Sequence, residues 1–133
     1  MDKFSEVLKE IAKNKNKSIS LKQFKTLDGL FDKRFWKGLK LSIQNNVKKY
    51  IFLPSKRIVW IVSSESRDYY TLDNFFCNCK DFFINIVSRR EIKYCKHLIA
   101  KLLSISLDNY DSIEIADDRY KTLIDEWRAF EKE

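Results

Sequence analysis

Residues 77–97 read CNCKDFFINIVSRREIKYCKH, and this stretch holds all three cysteines of the 133-residue chain together with its only histidine. The four residues form two pairs of identical spacing, Cys77-x-Cys79 and Cys95-x-His97, separated by fifteen residues. In an extended segment, side chains two residues apart point the same way, so each pair can present two ligand atoms to one ion. Three thiolates and one imidazole complete the four tetrahedral ligands that structural zinc takes. The stretch therefore predicts a fold built around one structural zinc ion.

A complete ligand set also bears on activity, because catalytic zinc usually keeps one coordination position open for water. Two alternatives stay open: buried apolar cysteines beside a surface histidine, and a cysteine nucleophile with His97 as its base. The nucleophile lacks an orienting acid and an oxyanion glycine in the sequence around it. The only two glycines are Gly29 and Gly38, which excludes the glycine-rich phosphate-binding loops of nucleotide enzymes. We expect no enzymatic activity.

The composition predicts a single folded domain over residues 1–133. With 44% hydrophobic and 14% aromatic residues, the chain is too apolar for a disordered tail and long enough for a modest core. No apolar run approaches the roughly 20 residues that cross a bilayer, and the charged start has no signal-peptide core. We expect a soluble intracellular protein, cytoplasmic or nucleoid-associated in a prokaryote and nuclear in a eukaryote.

Changes in hydrophobic period predict an α+β fold. Residues 1–37 form an N-terminal helical segment, with a capping box at Ser20 and Gln23. From Leu39 the apolar residues alternate and Asn45-Asn46 offers a tight turn, so residues 38–74 are predicted as an antiparallel meander of about four strands. The zinc finger occupies residues 75–106, with a helical segment after each ligand pair. A C-terminal amphipathic helix is predicted over residues 115–131.

Charge is unevenly distributed along the chain, whose formal net charge is +7. Residues 1–50 hold thirteen basic and five acidic side chains, whereas residues 108–133 hold four and nine. Basic and aromatic residues interleave at Lys33, Arg34, Trp36, Lys37 and Lys40, which is typical of a surface that follows a nucleic-acid backbone. The alternative is an ordinary lysine-rich solvated surface. These five residues are therefore candidate nucleic-acid-binding residues.

The order Cys-x-Cys, spacer, Cys-x-His resembles the SWIM zinc-finger family. Phe82 stands three residues after Cys79 and Ala100 stands three residues after His97, which is similar to the small stand-alone SWIM-domain subunit of Shu-type homologous-recombination complexes. On a helix, Ala100 shares a face with His97, where a small side chain would allow a close approach to the zinc hairpin. The specific resemblance covers roughly residues 75–103.

This resemblance implies a non-enzymatic, zinc-binding adaptor that pairs with a RecA-family recombinase paralogue and regulates homologous recombination and DNA repair. DNA would be bound directly or through that partner, and neither a membrane nor a small-molecule substrate is implied. The candidate partner-binding residues are Tyr120, Trp127 and Phe130 on the acidic C-terminal helix, and the aromatic cluster Phe75, Phe76, Phe82 and Phe83 around the zinc. Ordinary core packing is the alternative for both groups. A second hypothesis is a SWIM protein that binds nucleic acid directly and regulates transcription or a mobile element.

Overall fold

The computed structural model describes residues 2–65, 67–73, 76–82, 84 and 94–128. Within these ranges the chain forms five α-helices, five β-strands and one 3₁₀-helix. In chain order they are α1 (Lys3–Lys13), α2 (Leu21–Phe31), α3 (Lys33–Ile43), β1 (Val47–Leu53), β2 (Arg57–Ser64), β3 (Arg67–Leu72), β4 (Phe76–Cys77), α4 (Lys96–Leu107), β5 (Asp111–Ala116), the 3₁₀-helix (Asp117–Arg119) and α5 (Tyr120–Trp127). The α+β class is confirmed. None of the helices in these ranges is long and apolar enough to cross a bilayer.

The five strands form one sheet in the order β4-β3-β2-β1-β5. Strands β1 to β4 make the antiparallel meander, whereas β5 pairs with β1 in parallel, so that Tyr50 faces Val59 on one side and Ile113 on the other. Parallel neighbours need a long crossover connection, and here that connection contains α4. Strand β4 lies at one edge of the sheet and ends at Cys77, which places the first metal-ligating residue at that edge.

Helix α4 is the most enclosed element of the fold. Nine of its twelve residues are buried, as expected for a helix that is covered on all sides. Ile99 and Leu103 pack with Phe4 and Phe35 of the N-terminal helices. On its other side, α4 lies on the sheet, which is covered on its second face by Ile124 and Trp127 of α5. The histidine in the first turn of α4 is therefore held by the best-packed helix of the molecule.

The capping box proposed at Ser20 and Gln23 is confirmed, and α1 has an N-cap of its own. The Asp2 carboxylate accepts a hydrogen bond from the Ser5 backbone N–H at 2.8 Å and begins α1. Ser20 and Gln23 form the reciprocal capping box of α2, with bonds of 3.2 and 2.8 Å. Both caps satisfy backbone donors that a helix leaves unpaired at its start.

The strand proposed to start at Leu39 is wrong, because residues 38–43 belong to α3. The buried residues of α3 are Phe35, Gly38, Leu39 and Ser42, which is helical spacing. Ile43, one of the alternating residues that suggested a strand, is 62% exposed. The Asn45-Asn46 turn does exist, and Asn45 adopts a positive φ of 60°, but the turn joins a helix to β1. The sheet therefore begins at Val47.

The C-terminal region also differs from the prediction. Residues 115–116 end strand β5, a 3₁₀ turn follows, and α5 runs from Tyr120 to Trp127. Strand β5 was not predicted, although Ile113 and Ile115 alternate with polar residues in the two-residue period of a half-buried strand. The helix predicted for residues 95–107 is present as α4, which begins one residue later at Lys96. Most of the one predicted for residues 81–90, and everything beyond Arg128, lies outside the described residues.

Candidate metal centre

Cys77, Cys79, Cys95 and His97 meet in one buried cluster. Their ligand atoms all lie within 4.8 Å of one another, and none of the four residues is more than 3% exposed. Cys77 ends β4, Cys79 follows two residues later, Cys95 is the N-cap residue of α4 and His97 lies in its first turn. The sheet edge and the start of α4 thus each supply one ligand pair.

The spacing of the ligand atoms fits a tetrahedral zinc site. Zn–S bonds near 2.3 Å and Zn–N bonds near 2.0 Å place tetrahedral ligand atoms roughly 3.5 to 3.8 Å apart. His97 Nδ1 lies 3.7 Å from Cys77 Sγ and 4.0 Å from Cys95 Sγ. His97 Nε2 is buried and has no hydrogen-bond partner among the described residues. Nδ1 is therefore the nitrogen that faces the three sulfurs and would take the metal.

The ionisation of the thiols explains why the cluster needs a cation. Hydrogen bonds from Cys77 and Cys95 lower the pKa of Cys79. The pKa of Cys77 is raised mainly by the proton it shares with Cys79, and burial raises the pKa of Cys95. The three sulfurs therefore accommodate one negative charge and resist a second and a third. A divalent cation supplies the positive charge that lets all three bind as thiolates.

Backbone donors and aromatic rings hold the ligands in place. The Phe82 N–H donates to Cys79 Sγ at 3.4 Å, and a backbone hydrogen bond from Leu98 favours the Cys95 thiolate by lowering its pKa, against the dominant effect of burial. The Tyr69 ring stacks on the His97 ring, with centroids 4.0 Å apart and planes 22° apart. The Tyr94 hydroxyl, next to Cys95, donates to the Asp2 carboxylate at 2.6 Å. The ligands are thus held in place by residues of β3, by the segment of residues 78–82 that follows β4, and by the N-cap of α1.

Two buried polar residues near the cluster were missed in the sequence, Asn78 and Lys101. Asn78, between the first two cysteines, is 1% exposed; its Oδ1 accepts from the Tyr70 N–H at 2.9 Å and its Nδ2 donates to the Trp127 carbonyl at 2.6 Å. Lys101, one turn after His97, is 2% exposed and donates to the Asp73 carbonyl. A single lysine in the apolar stretch LIAKLLSI is the signal that could have identified Lys101. Nothing in the sequence indicates the partners of Asn78.

Lys101 is buried and lies close enough to Cys77 for the charges of the two side chains to interact. Burial lowers its pKa to about 8, while the negative charges of Asp73 and Cys77 act in the opposite direction. Zinc with three thiolates and a neutral imidazole has a formal charge of −1, so the centre itself would favour the Lys101 ammonium.

We expect Lys101→Met to weaken zinc binding about tenfold, as changes around metal ligands typically do. The unbranched apolar side chain keeps most of the volume of lysine and removes the charge together with the hydrogen bond to the Asp73 carbonyl. Competition with a chromophoric chelator measures the zinc affinity. Lys121→Met, an exposed position on α5, is the control and should bind zinc like the parent protein. Equal affinities for all three proteins would contradict a charge-balancing role.

The remaining motif residues lie in the core. Phe82 is buried among Tyr69, Cys77 and Leu98. Ala100 is also buried, but it packs against Val47 and Val62 of the central strands. Its small side chain therefore lets α4 approach the sheet. The sequence suggested instead that Ala100 lets the helix approach the zinc hairpin.

The candidate partner-binding residues are mostly unavailable. Trp127 is 5% exposed and packs against Tyr50, with ring centroids 4.7 Å apart, so its assignment to a partner surface is wrong. Tyr120 is half-buried on Phe52, and the Arg57 guanidinium lies 4.6 Å from its ring centroid. Phe76 is half-buried and belongs to the cluster around the cysteines. Phe75, Phe83 and Phe130 lie outside the described residues.

The candidate nucleic-acid-binding residues share the outer side of α3. Lys33, Lys37 and Lys40 are exposed, and Trp36 is 49% exposed. Arg34 is already engaged, since its Nε and Nη2 donate to the Asp81 carboxylate at 2.9 and 2.8 Å. This ion pair joins α3 to the segment that follows Cys79, so Arg34 helps to hold that segment against α3.

Comparison with known proteins gives one relative. The chain is 29% identical over 125 residues to the zinc finger SWIM domain-containing protein 7 homolog of Dictyostelium discoideum, which covers 92% of this chain and 80% of that protein. No family model and no solved structure matches the chain. The buried cluster of three cysteines and one histidine fits a SWIM domain. The resemblance to SWIM zinc-finger proteins is therefore confirmed.

Proposed function

We propose that this SWIM-type chain is a non-enzymatic adaptor that binds one structural zinc ion, pairs with a RecA-family recombinase paralogue and regulates homologous recombination. The observation that carries the proposal is the buried four-ligand cluster at the junction of β4 and α4. A zinc ion bound by these four residues would cross-link β4 to α4. The similarity to a SWIM domain-containing relative over most of both chains supports the same class of protein.

The absence of enzymatic activity is inferred from the ligand set. Catalytic zinc needs a position for water or substrate, whereas here four protein ligands are present and each is at most 3% exposed. The two ligand pairs are also tied to packed elements, β4 and α4. A centre of this kind stabilises a surface and does not transform a substrate.

An adaptor also needs a surface for its partner. Because Trp127 is buried, the outward side of α5 must act through its exposed polar residues, which include Asp125 and Glu126. Acidic residues dominate the C-terminal region from residue 108 onward, so this surface fits a basic patch on the partner. The partner assignment itself rests on the resemblance to the Shu-type SWIM subunit.

Co-purification tests the proposal. The tagged, zinc-loaded chain should retain a RecA-family paralogue from a lysate of its own source, identified by mass spectrometry. We expect Asp125→Lys with Glu126→Lys to reduce the recovered paralogue at least about tenfold, because like charges then oppose each other. The matched control reverses two exposed acids of α1, Glu6→Lys with Glu10→Lys. Failure to recover any RecA-family protein, from lysate or as a purified candidate, would sink the adaptor proposal.

A further inference from the structure

We propose that the surface between α3 and the first turn of α4 binds the phosphate backbone of single-stranded nucleic acid, with Trp36 as a stacking platform at one end. The surface is defined by Lys33, Lys37, Lys40 and Lys96, and we call it the lysine groove. This inference goes beyond the adaptor function and does not depend on it, because it concerns contacts made by this chain alone.

Helix geometry aligns three of the four lysines. Lys33, Lys37 and Lys40 recur at helical spacing on the exposed side of α3, over a length of about 10 Å. The opposite side of the helix carries Phe35 and Leu39 and is buried against α4. The three ammonium groups are thus presented as one row that solvent, or a polyanion, can reach.

Close packing of two helices brings in the fourth lysine. A Cβ atom at Gly38 would lie 3.0 Å from the Lys96 carbonyl and 2.8 Å from Ile99 Cγ2. The missing side chain therefore lets α3 touch the start of α4, and Lys96 comes to line the same two cavities as Lys37. Because Lys96 stands between the ligands Cys95 and His97, its backbone is anchored by the metal centre.

The lysine groove is concave and predominantly cationic. It consists of two adjoining cavities of about 380 and 330 Å³ that share Lys37 and Lys96 in their lining. Five cationic side chains line the two cavities, against two carboxylates, Asp81 and Glu65. Asp81 is paired with Arg34, whereas in the described part of the chain no carboxylate pairs with any of the four lysines. Convergent ammonium groups of this kind attract phosphates.

Trp36 favours a single strand over a duplex. Its indole Nε1 donates to the Asp28 carboxylate at 2.6 Å, and its ring stacks on Phe24 with the planes 12° apart. One side of the ring is therefore fixed against the protein while about half of the residue stays exposed. Asp28 and Asp32 line the cavity beside it together with Lys33 and Arg34, so this end has no net positive charge and suits a base, whose flat face stacks on an aromatic ring.

Fluorescence anisotropy with an oligothymidylate of about 15 nucleotides tests the groove on the zinc-loaded chain at low salt. The triple change Lys33→Gln, Lys37→Gln and Lys40→Gln is expected to weaken binding at least about tenfold, and to reduce the log–log salt slope by about 2. The control triple, Lys9→Gln, Lys13→Gln and Lys121→Gln, removes the same charge from exposed positions elsewhere. It should stay within about threefold of the parent protein.

Two further variants test the geometry. Trp36→Ala should weaken binding of the single strand about tenfold and leave a duplex of the same length unaffected. Asp81→Asn should tighten binding, because it removes a carboxylate from the groove. Equal losses in both lysine triples, an equal effect of Trp36→Ala on duplex, or no detectable binding by the parent protein would each overturn the inference. Partner recovery should persist in the groove variants, so a failure here is separable from a failure of the adaptor proposal.

Discussion

Cys95→Ser is expected to abolish zinc binding and to leave the chain unfolded at neutral pH and 25 °C. Serine keeps the volume of the side chain but is a poor zinc ligand, and it leaves two thiolates and an imidazole in a buried cluster. Structural zinc contributes roughly 10–16 kcal/mol of apparent binding free energy in small zinc domains. A domain of this size has a total stability of about 5–15 kcal/mol. Loss of the metal therefore removes a free energy comparable to the whole stability of the fold.

The position of Cys95 makes the effect global. This residue is 0% exposed and is the N-cap residue of α4, the helix that packs against both the N-terminal helices and the sheet. Zinc content by elemental analysis, with far-ultraviolet circular dichroism, measures the result, and the parent chain should hold about one ion. Lys96→Gln changes the residue between the two ligands without touching either and should keep both zinc and fold. A zinc-free Cys95→Ser chain with the parent spectrum and melting temperature would contradict the prediction.

Acid should reproduce the effect of the substitution. Zinc binds thiolates, so protons compete with the metal, and zinc affinity falls as the pH is lowered. Burial raises the pKa of Cys95, and the hydrogen bond between Cys77 and Cys79 raises the pKa of Cys77. These two sulfurs therefore take up protons readily when the pH falls and protons displace the metal. The zinc-loaded fold therefore has its full stability at neutral pH and loses it on acidification.

Gly38→Ala is expected to destabilise the fold by about 1 kcal/mol, although alanine is the better helix former. A Cβ at position 38 would lie 2.8 Å from Ile99 Cγ2 and 3.0 Å from the backbone carbonyl of Lys96. The carbonyl belongs to α4 and cannot rotate away, so the two helices must separate. Overpacking of this kind costs typically 1–3 kcal/mol, and the gain in helix propensity offsets only about 1 kcal/mol.

The chain supplies its own control, since its other glycine is also in a helix. A Cβ at Gly29 in α2 meets nothing within 4 Å, so Gly29→Ala should stabilise the protein by roughly 0.5–1 kcal/mol. Urea unfolding of the two zinc-loaded variants measures both changes. Equal stability of Gly38→Ala and Gly29→Ala would contradict the close approach of α3 to α4.

The metal ligands were the part of the molecule that sequence alone predicted best. Four ligand-type residues in two equally spaced pairs are a local pattern, and the fold only has to bring the pairs together. The capping residues Asp2 and Ser20 were predictable for the same reason, because a cap bonds to a donor three residues away. Features that depend on contacts between residues close in sequence can therefore be predicted from the sequence.

Features decided by distant contacts were not predictable. The alternating residues of 39–43 form the end of α3 because Leu39 and Ser42 meet α4, and Ser42 bonds to Ser104 across 62 residues at 2.6 Å. Strand β5 depends on β1, which lies more than 50 residues earlier, so its short acidic sequence carries little signal of its own. Trp127 was assigned to a partner surface because helical periodicity shows which residues share a face, but not what covers that face.

Asn78 joins the metal centre to α5 through one side chain. It stands between two ligands, and its amide bridges the Tyr70 N–H and the Trp127 carbonyl. Binding free energies at coupled sites are reciprocal. A molecule that draws Trp127 away from the sheet therefore lowers the zinc affinity of the chain, and zinc lowers the affinity of the chain for that molecule by the same factor. The zinc affinity, measured with and without such a molecule, would therefore report on whether α5 is docked.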